Sequence, residues 1–230
     1  MKVNTHIKSF LLCLGIIASL HAIGQDNDQM PSTNTTTHTN SDTYYKYSLQ
    51  GGVEVPYPMG DNAFFKSLVG IYMFHVAQQF SINKHLYGGV EFQDAEFSIS
   101  INPVNYTITP NMFTYLGGLD FGYHTTMAKD FMTSITLFAG EAVINYTSAP
   151  IHIKASEPTF ETISLMEGYT VDEDLRIGFE VTFTSINYTF DPYAIGINNA
   201  GISFEPSDIK SPMTYFSWGL GIYWGFGKGK

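Results

Sequence analysis

Residues 215–227 read YFSWGLGIYWGFG. Phe216, Trp218, Leu220, Ile222, Trp224 and Phe226 fall on every second position, and Tyr215, Ser217, Gly219, Gly221, Tyr223, Gly225 and Gly227 fall between them. A period of two over this length is that of a strand, because successive side chains of an extended chain point to opposite faces. One face is wholly apolar and rich in aromatics, while the other is mostly Gly or Ser. That combination suits a wall that faces lipid on one side and a crowded interior on the other.

The same alternation recurs upstream as hairpins. Seven further strands are expected at about 44–57, 67–82, 86–101, 112–126, 131–147, 161–171 and 175–187. The seventh is the cleanest, with Leu175, Ile177, Phe179, Val181 and Phe183 set against Arg176, Gly178, Glu180, Thr182 and Thr184. In the fifth, Glu141 interrupts the apolar face after Ala139, which predicts a bulge there. Connections near 83–85, 127–130 and 172–174 are short, whereas the others are long and hold the prolines from Pro56 to Pro212. Short turns at one end, long loops at the other and an even strand number describe an up-and-down barrel. Eight strands enclose just enough room for side chains, so no wide channel is expected.

The N-terminus reads as an export signal. Lys2 and Lys8 precede the apolar run Phe10–Leu20, too short to cross a bilayer as a helix, and Ala22-Ile23-Gly24 offers small residues for cleavage. Residues 1–24 are therefore expected to be a signal peptide and Gln25 the first mature residue. Cys13, the only cysteine, lies inside this run with Leu12 before it, where a lipidation motif would have a small residue. The mature chain would lack thiol chemistry altogether. Residues 25–43, dominated by Asn, Thr, Ser and His, have almost nothing to bury and are expected to form a disordered linker, leaving 44–230 as the barrel domain.

The formal charge of −10 becomes −12 once Lys2 and Lys8 are removed, which argues against nucleic acid as a partner. No stretch reaches 18 consecutive apolar residues, so helical spans are excluded. With 18 Phe and 15 Tyr, the composition favours strands and interfacial girdles. Alternation alone also fits a secreted, soluble lipocalin-like barrel, apolar inside and polar outside. With only 14% charged residues, many of them in turns, the Gly, Ser and Thr face would make a poorly charged water-facing surface. Turned inward, that face presents no such difficulty.

From Tyr44 to Phe226 the chain resembles the small outer-membrane β-barrel proteins of Gram-negative bacteria, of the OmpA-barrel, OmpX and OmpW kind. The resemblance rests on the alternation, on the glycine pairs at 51–52, 88–89 and 117–118, and on the terminal aromatic strand. Gly221, Trp224 and Phe226 resemble the C-terminal assembly signal of such barrels, although Gly227, Lys228, Gly229 and Lys230 follow the last aromatic. The resemblance implies an all-β, eight-stranded antiparallel transmembrane barrel in the outer membrane, with membrane lipid and the barrel-assembly machinery as partners. It carries over no catalytic or ligand residue.

One set of polar residues faces inward. Counted from the short turns, His75, Glu91, Asp120 and Glu180 lie at similar heights, with Arg176 lower on the seventh strand. A three-residue turn at 83–85 keeps parity and sets His75 opposite Gln93 and diagonal to Glu91. Arg176 is the only arginine, and its guanidinium fork is the expected hub for these carboxylates, Glu180 being the nearest candidate. Such a network serves as an interior plug or, alternatively, as a proton- or ligand-responsive gate.

Enzymatic signals are weak. Ser148 and His152 share an expected external loop without an orienting carboxylate, no His-x-His or His-Glu-x-x-His spacing suggests a metal, and no cofactor motif occurs. Asp172-Glu173-Asp174 would suit calcium or a solvated turn, and His38 lies in a polar tract. The sequence thus predicts a non-enzymatic, monomeric outer-membrane barrel with a structural or surface-interaction role, its loops facing an unidentified extracellular partner. A narrow conduit or binder for small apolar molecules is the other reading.

Overall fold

The C-terminal stretch forms the last and most regular strand of the barrel. In the computed structural model, which describes residues 45–99, 111–128, 130–148, 151–154, 158–193 and 204–228, nine strands form one antiparallel sheet. They are β1 (Tyr45–Met59), β2 (Leu68–Ser81), β3 (Leu86–Ile99), β4 (Asn111–Ala128), β5 (Phe131–Ser148), β6 (Ile151–Lys154), β7 (Thr159–Thr170), β8 (Leu175–Ile186) and β9 (Met213–Lys228). Each of the eight long strands pairs with its neighbours in chain order. β1 joins β9 from Tyr45–Lys228 to Met59–Thr214, and β4 joins β5, so the ring closes. Among the described residues, closure gives each of the eight long strands a hydrogen-bonded neighbour on both sides. β6 is a four-residue addition that pairs with the top of β5. The signal-peptide and linker regions expected at 1–24 and 25–43 lie outside the described residues.

Parity sorts the side chains cleanly. On β9, Phe216, Trp218, Leu220, Ile222, Trp224 and Phe226 point outward, while Tyr215, Ser217, Gly221, Tyr223 and Gly225 are buried. The outward face of the ring is apolar throughout its middle, with Leu119 71% and Leu220 66% exposed and Val53, Phe92, Leu137 and Phe179 among their neighbours. A soluble barrel would show the reverse. A continuous apolar belt of this size is a surface that water wets poorly and lipid matches.

Glu141 makes no bulge. β5 keeps its register through Glu141, which pairs with Gly117 on one side and Thr159 on the other. The residue simply faces outward, as do Asp94, Glu96 and Glu161 near the same end of neighbouring strands. An outward carboxylate needs no break in pleating where the apolar belt ends. Register shifts occur instead at Gly70/Tyr72 and at Thr126/Ala128.

The long-loop end, called the upper end here, is closed by a hydrophobic core. Phe97, Met112, Leu116, Phe138, Ile144 and Tyr215 from the strands meet Phe64, Phe190 and Phe204 from the connections. Phe97 sits edge-on to both Phe64 and Tyr215, with ring centroids 5.2 Å away in each case, a geometry that the aromatic quadrupoles favour. Phe64 is delivered by α1 (Ala63–Ser67), a helical turn capped by Asn62, whose side chain accepts from Phe65 N at 3.0 Å and donates to Pro212 O at 3.1 Å. Lys66 of this turn meets Asp208 at 2.8 Å and Asp61 at 3.3 Å. At the lower end Met132, Met166 and Tyr223 pack together beside Tyr45.

Candidate functional site

Between the two apolar ends lies a polar layer centred on His75. β2 carries His75 one inward step below Met73, and β1 carries Glu54 opposite Met73. Glu180 reaches the same point from β8, two strands further round the ring. The intervening wall lets it pass. His75, Gly52, Gly221 and Gly178 fall in one register row across β2, β1, β9 and β8, and the row above reads Glu54, Gly219, Glu180. With no side chains to fill that patch of wall, the carboxylates and the imidazole meet over it. A Cβ on Gly52 would lie 2.4 Å from His75 Nε2, and one on Gly221 would lie 2.6 Å from Glu180 Oε2. Glycine is needed here for space.

The contacts are specific. His75 Nε2 lies 3.1 Å from Glu180 Oε2 and 3.7 Å from Glu54 Oε1, and His75 Nδ1 lies 3.5 Å from Glu91 Oε1. Glu54 accepts from Ser217 Oγ at 2.7 Å and Thr182 Oγ1 at 3.1 Å, and Glu180 Oε1 accepts from Gln50 Nε2 at 3.3 Å. Gln79 continues the chain downward, donating to Asp120 Oδ2 at 2.6 Å while its own oxygen accepts from Ser48 at 3.2 Å. The side chains of Glu54 and Glu180 are 0% exposed. Burial this deep makes any unbalanced carboxylate costly, so hydrogen bonds and compensating charge are obligatory.

The structure brings His75, Glu180 and Glu91 into direct contact and links Asp120 to them through Gln79 and Gln50. The expected hub does not sit among them. Arg176 lies at the lower end with its guanidinium over the Tyr223 ring, 5.4 Å from the centroid. The reason is distance along the strand. Arg176 and Glu180 are separated by four residues, about 13 Å of extended chain, with Gly178 between them. His75 is the basic side chain at the centre instead.

Sequence reasoning missed Glu54, along with Gln50, Gln79 and Ser217. Glu54 does stand on the inward parity of β1, but the connection from β1 to β2 holds α1, so no short turn announces that Gly52 pairs with His75. Gly221 belongs to this layer, while Trp224 and Phe226 of the same expected signal face outward on the belt. Ser148 and His152 lie in the β5–β6 hairpin, where Thr147 pairs with His152 and Ser148 with Ile151. Asp172 turns back on its own chain, Oδ1 accepting from Glu173 N at 2.7 Å. His38 lies outside the described residues.

No family model matches the sequence, and no curated protein matches it. Solved structures do. The chain is similar to Neisserial surface protein A, with a TM-score of 0.52 and 7% identity over 79% of this chain and 97% of that one. Ail of Yersinia pestis, crystallised with the heparin analogue sucrose octasulfate, gives a TM-score of 0.45 and 9% identity over 80% of this chain and 99% of that one. The N-terminal β-barrel domain of Pseudomonas aeruginosa OprF gives 0.38 and 9% over 78% and 97%. At such identities the likeness is one of fold alone, and of these three the score of Neisserial surface protein A carries it. With its closed ring, outward apolar belt and polar middle, the chain has the fold of the small eight-stranded outer-membrane β-barrels.

Proposed function

We propose that this protein is an integral barrel of a Gram-negative outer membrane whose role is structural or in surface interaction, not in transport. The observation that carries this reading is the filled interior. An apolar core seals the upper end, a hydrogen-bonded layer occupies the middle and Met132, Met166 and Tyr223 close the lower end. Residues so packed leave no column of water to conduct ions. The belt is the lipid contact, and the long upper connections, on a rigid scaffold, are the part that meets an extracellular partner. Gly221, Trp224 and Phe226 serve recognition by the barrel-assembly machinery, and cleavage before Gln25 follows export. The filled interior also disfavours a conduit for apolar molecules, and the outward belt disfavours a soluble secreted barrel.

Two measurements test this. Fractionation should find the mature chain, beginning at Gln25, in the outer membrane; intact protein in the periplasm or medium would refute the localisation. In planar bilayers the refolded chain should give no steady conductance above that of the lipid. A reproducible open channel would overturn the closed-barrel reading.

A further inference from the structure

The middle layer gathers more acidic than basic side chains. Around His75 stand Glu54, Glu91 and Glu180, three buried carboxylates against one imidazole, and Asp120 adds a fourth, joined to Glu180 by three hydrogen bonds through Gln79 and Gln50. With His75 protonated and the three glutamates ionised, the immediate cluster still carries two net negative charges in a region closed to water. Its geometry has a second property. His75, Glu54 and Glu180 each offer one ligand atom, and these atoms all lie within 4.8 Å of one another. The two edges at His75 Nε2, 3.1 and 3.7 Å, bracket the ligand-to-ligand spacing of about 3.4 Å that tetrahedral bonds of about 2.1 Å require.

We propose that Glu54, His75 and Glu180 form a binding site for a divalent first-row transition ion. Imidazole nitrogen with two carboxylate oxygens is a donor set for Zn2+, Mn2+ or Fe2+, whereas Ca2+ and Mg2+ take oxygen almost exclusively. The surrounding atoms are those that a metal site needs. His75 offers Nε2 to the ion while Nδ1 stands 3.5 Å from Glu91 Oε1, the pairing of carboxylate, histidine and metal that orients the ring. Gln50 holds the far oxygen of Glu180, Ser217 holds the far oxygen of Glu54, and Thr182 donates to Glu54 Oε1, which keeps a lone pair for the ion. Gln93 stands opposite His75 in the ladder on the same inward face, 1% exposed, with Oε1 lacking a protein partner. An ion of charge +2 with neutral His75 brings the cluster from two net negative charges to one. Packed side chains close both ends, so the ion enters as the ring closes.

The test uses the untagged chain refolded into detergent micelles with Zn2+ as the probe, then passed into metal-free buffer. Elemental analysis should find about one Zn2+ per chain, and X-ray absorption at the zinc edge should show one imidazole among oxygens. Glu54→Gln and Glu180→Gln, each nearly isosteric, should lose the ion. Glu91→Gln should weaken retention by about 10- to 100-fold, because it orients His75 without touching the metal. Failure of the wild-type chain to retain zinc, or a shell containing two or more imidazoles, would overturn the proposal. So would folded E54Q or E180Q chains that retain as much zinc as the parent. If neither variant folds, the wild-type stoichiometry and spectrum decide the matter alone. None of these outcomes depends on conductance or fractionation, so this proposal and the closed-barrel reading stand or fall separately.

Discussion

The upper and middle layers of this interior fill similar space with opposite chemistry. Above, Phe97, Leu116, Phe138 and Tyr215 interlock with Phe64 and Phe190 from the connections, as in the core of a soluble domain. Below them, Glu54, His75, Glu91 and Glu180 are held by hydrogen bonds over a wall thinned to glycine. The upper layer is stabilised by close packing and tolerates little loss of volume. Pairing stabilises the middle layer, which responds most strongly to change in charge or partner. Volume changes should therefore matter most above, and changes of charge and space over the glycine row most below.

The largest effect on this contrast is expected from Phe97→Ala. The side chain is 0% exposed and edge-on to two rings, so its loss should cost about 3–5 kcal/mol, read as a lowered urea midpoint of the refolded barrel. A change below 1 kcal/mol would mean that the upper core is not packed as described.

Next comes the outer face, against which both layers are defined. Leu220→Arg puts a guanidinium on the belt and should cost about 2–4 kcal/mol if the position is near the bilayer midplane. Phe179→Arg, at the position paired with Leu220 across β8 and β9, should behave alike. Assembly into the outer membrane, followed by heat-modifiable gel mobility, is the measurement. Full tolerance at both positions would invert inside and outside.

Space above the glycine row sets the third effect. Gly221→Ala drives a methyl group towards Glu180 Oε2 and should cost about 1–3 kcal/mol while displacing Glu180 from His75. Gly117 has nothing within 4 Å of a Cβ, so Gly117→Ala should stay within about 0.5 kcal/mol. Equal cost at the two positions would remove the special role of the row.

These positions also show where the sequence stops being legible. Parity is local, and it set the eight long strands to within a few residues of those observed, including β7 and the inward face carrying His75, Glu91, Asp120 and Glu180. The bulge expected at Glu141 is absent because an outward carboxylate is accommodated within β5 with no loss of register. The meeting of Glu180 with His75 depends on two further pairings, Gly52 with Gly221 and Gly221 with Gly178, and alternation cannot supply that register. Nor can charge logic. It drew Arg176 to the carboxylates because it was the lone guanidinium, although the pleat puts it one tier down, against Tyr223. The turn at α1, by contrast, has a legible start, since Asn62 ahead of Ala63 is a capping pattern.

Arg176 supplies the fourth expectation, a small one. Removing a guanidinium from over an aromatic face should cost about 0.5–1 kcal/mol in Arg176→Met. Because Arg176 and Glu180 belong to different tiers, Arg176→Met combined with Glu180→Gln should be additive within about 0.5 kcal/mol. Non-additivity above that would return Arg176 to the middle layer.

The smallest effect should appear at the mouth, where pH separates the layers. Lys66, hydrogen-bonded to Asp208, is held above the usual lysine range, and the Asp208 carboxyl is held below the usual aspartate range by that same contact. The depressed carboxyl contributes stability that is present above its ordinary value and is lost as pH falls through its lower, folded value. The raised ammonium contributes stability that is present below its ordinary value and is lost as pH rises through its higher, folded value. The seat of α1 should thus hold from mildly acidic to mildly basic solution and loosen outside that range, carrying Phe64 away from Phe97 without disturbing His75. Hydrogen exchange at residues 62–68 across pH reads this directly, Ala63 N being bonded to Asp208 O at 2.8 Å. Asp208→Asn should flatten the acid limb of that profile. An unchanged acid limb would show that Asn62 and Phe64, not the ion pair, hold the turn over the barrel.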